Sequence, residues 1–216
     1  MTELIRVEQL SYRYPKRLVL DEADFALHSG ERVSLEGGNG AGKTTFFNLL
    51  VGLNKPKSGR IFAFGRERCE EADFHEVRAK AGFLFQDPDD QLFCPTVLED
   101  VAFGPLNLGK SQAEAEKLAC ETLECLGMAG FEERVTYQLS GGEKRMITLA
   151  AVLAMEPEVL LLDEPSNALD DKARERLIHT LQNLPQAMII ISHDAQFLNQ
   201  LTTRRTRLEG GKICAL

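Results

Sequence analysis

Three short stretches of the chain carry residue types that chemistry needs and packing does not. The first is Gly37-Gly38-Asn39-Gly40-Ala41-Gly42-Lys43-Thr44, followed by Thr45. Its small residues let backbone N–H groups converge on phosphate oxygens, and a helix starting near Gly42 turns its positive dipole end to the same point. Lys43 supplies a cation for the β- and γ-phosphates, and the Thr44 hydroxyl is a ligand for Mg2+. A Gly-rich strand–helix turn without a ligand is the plainer alternative, but every fixed position of GxxxxGK[ST] is filled. The stretch reads as a nucleotide phosphate site.

The second is Val159-Leu160-Leu161-Leu162-Asp163-Glu164. Carboxylates at the carboxyl end of a buried parallel strand stand where open α/β sheets bind ligands. Asp163 is expected to hold Mg2+, and Glu164 to polarise the attacking water. Alone, the run could be any strand meeting a loop; beside the phosphate loop it reads as the hydrolytic half of the site. The third, Leu139-Ser140-Gly141-Gly142-Glu143, reads two ways. Ser140 and Glu143 have the spacing of a capping box. Such a box does not require Gly141 and Gly142, which cost about 1 kcal/mol each inside a helix. They bare the N–H groups of a second positive helix end, a second phosphate grip. If both grips serve one nucleotide, the second comes from another copy of the chain.

These stretches need strands and helices to hold them. Residues 32–36 are a strand candidate and 42–53 a helix; 60–64 and 82–85 look like further strands. Residues 111–126 are helical, with Ala115, Leu118, Ala119 and Leu123 on the dry side, and a second helix runs over 141–154. The all-apolar runs at 159–162 and 188–191 mark parallel strands buried on both faces. A last strand is expected at 212–215. The pattern is an α/β core over 1–87 and 156–216, interrupted by a mostly helical insertion over 88–155.

The chain has 216 residues, 44% hydrophobic and 27% charged, the size and composition of one globular domain. Its 25 Lys and Arg against 33 Asp and Glu leave a net charge of −8, which argues against a nucleic-acid coat or a polybasic membrane binder. No run approaches the roughly 18–20 apolar residues of a membrane span. The start, MTELIRVEQL, lacks the pattern of a secretory signal. Cys69, Cys94, Cys120, Cys125 and Cys214 are odd in number and form no CxxC, so they are expected to be small buried hydrophobes in a reducing compartment.

The phosphate loop, LSGGE, LLLDEPSNALD and ISHD follow one another as in ATP-binding cassette (ABC) ATPases, and the chain resembles that family over essentially its whole length. The resemblance implies a RecA-like P-loop NTPase core, an inserted helical subdomain and a small antiparallel β part near the N-terminus. It implies ATP and Mg2+, and two cassettes set head to tail, with residues 37–45 of one facing Ser140, Gly141, Gly142 and Glu143 of the other. Tyr14, rather than Tyr12, would stack on adenine. Gln86 would link Mg2+ and water to the transporter interface, Asp170 would contact the opposite subunit, and His193 would contact the γ-phosphate. By itself, His193 reads equally well as structural. Gly38 and Asp171 stand where Pro is common in the family, and neither change removes a functional group.

Gln86-Asp87-Pro88-Asp89-Asp90-Gln91-Leu92-Phe93 resembles the QxPDxQ segment of ATPases from energy-coupling-factor (ECF) importers, and its continuation through Leu108 looks like their cobalt and nickel members. The same run could also be a solvated turn opening a short helix. The resemblance implies a transmembrane coupling protein docked near Gln91, a substrate-binding membrane subunit, and a peripheral place on the cytosolic face of the membrane. Because the sequence stops at Leu216, the dimerising extension of many relatives is not expected. A cassette acting on DNA or the ribosome is the competing class; its coiled-coil insertions, second cassette and basic surfaces have no counterpart here, so no nucleic-acid partner is expected. Asn54-Lys55-Pro56-Lys57 resembles the NKxD of GTPases but lacks the Asp and reads as a turn.

Overall fold

The computed structural model describes residues 2–216. β1 (Glu3–Tyr14) and β2 (Arg17–His28) form a long hairpin, followed by β3 (Arg32–Glu36) and α1 (Lys43–Leu50). Next come β4 (Ser58–Ala63), β5 (Arg66–Arg68), α2 (Glu71–Lys80) and β6 (Ala81–Leu84). A helical stretch holds α3 (Val97–Asn107), α4 (Gln112–Cys125) and α5 (Gly141–Leu153). The chain closes with β7 (Val159–Asp163), α6 (Asp171–Asn183), β8 (Ala187–Ile191), α7 (Ala195–Leu201), β9 (Arg204–Glu209) and β10 (Lys212–Ala215). One sheet is antiparallel, in the order β2-β1-β4-β5; the other has the order β10-β9-β3-β8-β7-β6, parallel except for β10.

The apolar runs of β7 and β8 have a simple cause. Val159 and Leu161 of β7, with Ile189 and Ile191 of β8, join a core shared with the antiparallel sheet and α1. Leu160 and Leu162, with Met188 and Ile190, face the other way, into a core shared with α3–α7. Successive strand residues point to opposite faces, so a strand covered on both needs apolar residues throughout. The acidic pair 163–164 therefore stands where this strand leaves the core.

The expected strands and helices are present, with shifted ends. The helix expected over 42–53 stops at Leu50, because Gly52 takes φ 74 and the Leu53 amide turns back to the Asn48 carbonyl at 2.8 Å. On α4, Ala115, Ala119 and Leu123 are buried, whereas Leu118 is half-buried. Capping boxes at Thr96 with Glu99 and at Ser111 with Glu114 start α3 and α4. Residues 54–57 are irregular backbone leading into β4, the turn expected there.

The cysteines differ from expectation. Cys69, Cys120, Cys125 and Cys214 are exposed and Cys94 is half-buried. Helical spacing explains two of them: Cys120 and Cys125 lie off the stripe made by Ala115, Ala119 and Leu123, and so face outward. Cys214 lies on β10, the edge strand of its sheet. Composition alone could not assign these faces.

Candidate nucleotide site

β3 ends at Glu36, whose carboxylate accepts from Arg205 Nε and Nη2 at 2.7 and 2.9 Å and from the Ser34 hydroxyl at 3.0 Å. These partners, Arg205 foremost, hold its carboxyl below the usual carboxylate range. The loop that follows needs glycine at two places. At Gly37, φ is 150 and a Cβ would stand 2.6 Å from the Leu208 carbonyl oxygen. At Gly42, the N-cap of α1, φ is 111 and a Cβ would meet Val19 Cγ1 at 2.3 Å. Gly38, by contrast, has open space around it.

Lys43 opens α1 and is only 8% exposed. Its ammonium donates to the carbonyls of Gly37 and Gly38 at 2.8 and 3.2 Å and lies 3.3 Å from His193 Nε2. Burial pushes its pKa down, against the pull of Glu164 and Asp163. The Thr44 hydroxyl donates to Asp163 Oδ2 at 2.6 Å. Asp163 is 2% exposed; burial raises its carboxyl pKa and the Glu164 charge adds to this, while the Thr44 bond, Lys43 and Arg145 act against it.

Glu164 adopts a left-handed φ of 47, while its amide keeps pairing with the Ile191 carbonyl at 2.9 Å. A non-glycine residue in this region stores on the order of 1–3 kcal/mol, a cost met most often at functional sites. The turn sets the Glu164 carboxylate against His193: Oε2 accepts from the His193 amide at 3.3 Å, and Oε1 lies 3.3 Å from Nε2. His193, left open by the sequence, thus stands between Lys43 and Glu164.

A cavity of about 470 Å³ gathers these groups: residues 39–45, Tyr14, Gln86, Asp163, Glu164 and His193 all line it. The Tyr14 hydroxyl lies 3.4 Å from Thr45 Oγ1, and the ring meets Tyr12 edge to face at 5.2 Å. Tyr14 is exposed, whereas Tyr12 packs against the core. Gly37 and Gly38 line a separate cavity of about 380 Å³. A third, of about 560 Å³, runs along α1 and residues 85–88, sharing Thr44, Gln86, Asp163 and Asn167 with the first. Thr44 and Asp163 offer adjacent hard oxygen donors, with the Gln86 amide on the same wall, a set that suits Mg2+ rather than a softer metal.

The 139–143 stretch sits elsewhere. Ser140 caps α5, accepting from the Glu143 amide at 3.3 Å, and Glu143 Oε2 accepts from the Ser140 amide and hydroxyl at 2.8 Å each, so the capping box is real. The two glycines then separate. A Cβ on Gly142 would press on Ala173 of α6 at 2.9 Å, which explains that glycine by packing; a Cβ on Gly141 would meet open space. Gly141 borders the 560 Å³ cavity, and neither it nor Ser140, Gly142 or Glu143 lines the phosphate cavity. Asp170 is exposed and caps α6, accepting from the Ala173 amide at 2.8 Å.

Arg17, Asn167 and Arg145 near the site have no role in the sequence reading, and Gln91 has one there only as part of a docking segment. Arg17 and Asn167 line the phosphate cavity, and Arg17 donates to the Gly40 carbonyl. Arg145 is 2% exposed and donates to the Phe85 and Gln86 carbonyls at 2.7 and 2.6 Å. The Gln91 amide bridges the Phe85 N–H and the Phe83 carbonyl, both at 3.1 Å. The available signal for Arg145 was an arginine running directly into the apolar face Met146-Ile147.

Comparisons with known proteins identify the family. The sequence pattern of the ABC transporter family matches residues 20–167. A Brucella suis biovar 1 protein, provisionally named an ABC transporter ATP-binding protein, is 53% identical over 213 residues, covering 99% of this chain and 89% of its own length. The energy-coupling factor transporter ATP-binding protein EcfA of Methanothermobacter thermautotrophicus is 42% identical, covering 98% of this chain and 70% of its own. Among solved structures, cbiO1 of Clostridium perfringens, part of the ABC transporter complex cbiONQ, superposes with a TM-score of 0.88 at 31% identity, covering 99% of this chain and 88% of that one. A dimeric ATP-binding cassette holding ADP and Pi after hydrolysis superposes at 0.86 and 25% identity, covering 97% and 96%. With its phosphate loop, acidic strand end and capped 139–143 segment arranged as described, the chain belongs to the ABC transporter ATP-binding family and is an ATP-binding, ATP-hydrolysing transporter subunit.

Proposed function

We propose that this chain energises a membrane importer of the ECF type, carrying cobalt, nickel or another small solute, by pairing with a second cassette. The observation that carries the pairing is the separation of two phosphate-binding features. One cavity holds residues 39–45 with the carboxylates, while the bare Gly141 end of α5 lies outside it with nothing among the described residues to explain the glycine. Head-to-tail pairing with another copy, or with a close paralogue, supplies each cavity with the missing helix end.

In this reading ATP stacks its adenine on exposed Tyr14 and lays its phosphates along residues 37–45. Phosphate oxygens then give the Lys43 ammonium anionic partners where it now has only neutral carbonyls and His193. Thr44, Asp163 and Gln86 would hold Mg2+, which supplies charge neutralisation at the β- and γ-phosphates. Glu164 polarises the attacking water, and His193, fixed against Glu164, contacts the γ-phosphate. Ser140, Gly141, Gly142 and Glu143 grip the partner's ATP, and Asp170 contacts the opposite subunit. Closure around two ATP molecules and reopening after hydrolysis is the two-state switch that ATP drives through its differential affinity.

The ECF assignment rests on the 86–93 segment together with the names of EcfA and cbiO1 among the similar proteins. Residues 88–155 act as the helical subdomain set on the 1–87 and 156–216 core. Between them, Phe93 and Phe103 meet edge to face at 4.8 Å and stay exposed, which suits docking of a transmembrane coupling protein that also carries a substrate-binding membrane subunit. The chain then sits peripherally on the cytoplasmic face of the membrane. Tagged chain pulled from detergent-solubilised membranes tests this: a multi-span protein is expected to co-purify. Turnover stimulated by nucleic acid, with no membrane protein captured, would overturn it.

A further inference from the structure

We infer that Arg145 is a positioning residue for Gln86, fixing through two backbone carbonyls where the Gln86 side chain points. The inference rests on the role proposed for Gln86 at the Mg2+ and γ-phosphate. Its basis is the way the chain leaves β6. After Leu84 the ladder with β7 ends, and residues 85–86 have no strand partner for their carbonyls. Arg145 replaces the ladder: Nη1 donates to the Phe85 carbonyl at 2.7 Å and Nη2 to the Gln86 carbonyl at 2.6 Å.

One planar guanidinium gripping two consecutive carbonyls fixes the two peptide planes that flank the Gln86 Cα, and with them the direction of its Cα–Cβ bond. A lysine reaches one carbonyl at a time and leaves the other peptide free to rotate. The grip is costly. Arg145 is 2% exposed, its Nε has no hydrogen-bond partner among the described residues, and from Met146 onward its helix is apolar except for Thr148. A buried cation with an orphaned donor is poor material for stability alone, since an apolar residue of similar volume often does as well. Neighbouring side chains hold the same segment. Lys144 Nζ binds Asp89 Oδ1 at 2.5 Å, and the Gln91 amide fixes the Phe85 N–H. The first turn of α5 thus holds residues 85–89 by side chains of two consecutive residues, and Gln86 enters the phosphate cavity from that segment.

A double-mutant cycle tests the assignment on the whole chain, with phosphate release and binding of a fluorescent ATP analogue as readouts. Arg145→Lys is expected to melt as a folded protein, to keep analogue affinity and KM within about threefold, and to lose about tenfold or more in kcat. Gln86→Ala is expected to lose kcat to a similar degree, and the double variant to be no slower than the slower single one, the signature of two residues acting in series. Losses that multiply in the double variant, or full kcat in Arg145→Lys beside a slow Gln86→Ala, would overturn the Arg145 assignment alone. Full kcat in Gln86→Ala would overturn the Gln86 role and this inference with it. If Arg145→Lys fails to fold, amide hydrogen exchange of the native chain decides. Residues 85–89 and 141–147 are expected to change protection together on adding ATP and Mg2+, and a change in one segment without the other would overturn the coupling.

Discussion

The Thr44 hydroxyl donates to the Asp163 carboxylate at 2.6 Å, joining the first turn of α1 to the end of β7 across 119 residues of sequence. Both side chains belong to the wall of the phosphate cavity, and Asp163 is buried with a raised pKa. A carboxyl whose folded pKa is raised binds its proton more tightly in the folded state. Its ionised form at neutral pH therefore opposes folding.

Asp163→Asn follows from this as a separable pair of effects. Without nucleotide, the variant is expected to melt at or above the native temperature, because a buried charge is removed and the Thr44 hydroxyl keeps an acceptor. With ATP, its half-saturating Mg2+ concentration for phosphate release is expected to rise at least tenfold, since a neutral amide is a poorer ligand for a hard cation. An unchanged Mg2+ midpoint would remove Asp163 from the metal site.

The glycines of the phosphate loop divide by the space around them. Gly42→Ala would drive a Cβ to 2.3 Å from Val19 at a φ of 111, and is expected to destabilise the fold by about 2–4 kcal/mol and to abolish nucleotide binding. Gly38→Ala has open space and is expected to stay within about 0.5 kcal/mol of native. Thermal melts of the two variants, side by side, check the contrast.

Acid sensitivity is expected where β3 enters the phosphate loop. Glu36 has a folded pKa held below 4.5, chiefly by Arg205, so the pair contributes fully above about pH 4.5 and its contribution is lost as pH falls through the lowered folded value. The Arg205 side chain is 39% exposed, which limits the gain to about 0.5–1 kcal/mol after solvent screening. Glu36→Gln is expected to be less stable than native at pH 7, with the difference shrinking as pH falls below the ordinary carboxylate range, as read by urea unfolding. A constant difference across that range would assign the effect to something other than the ion pair.

How much of this was legible in the sequence depended on whether a residue's role follows from its neighbours. The phosphate loop, Asp163 and Glu164 could be read because glycine spacing and an apolar run ending in acids have few other uses. The strands of β7 and β8 were readable for the same reason, their two covered faces leaving no alternation. Arg145 and Arg17 were not readable, because what they grip, the carbonyls of Phe85, Gln86 and Gly40, comes from distant segments and leaves no pattern of residue types. The exposed cysteines were missed because burial depends on which face of α4 or which edge of a sheet a residue occupies. Gly141 and Gly142, alike in sequence, were told apart only by Ala173 standing over one of them.

In the proposed mechanism two chains complete each ATP site, with Glu164 driving hydrolysis. Replacing Glu164 by Gln removes the base and spares the phosphate grip, so phosphate release is expected to fall by about 100-fold or more while ATP binding persists. Light scattering of Glu164→Gln with ATP and Mg2+ tests this: twice the monomer mass is expected with ATP and the monomer mass with ADP. A chain that stays monomeric with ATP at high protein concentration would contradict it.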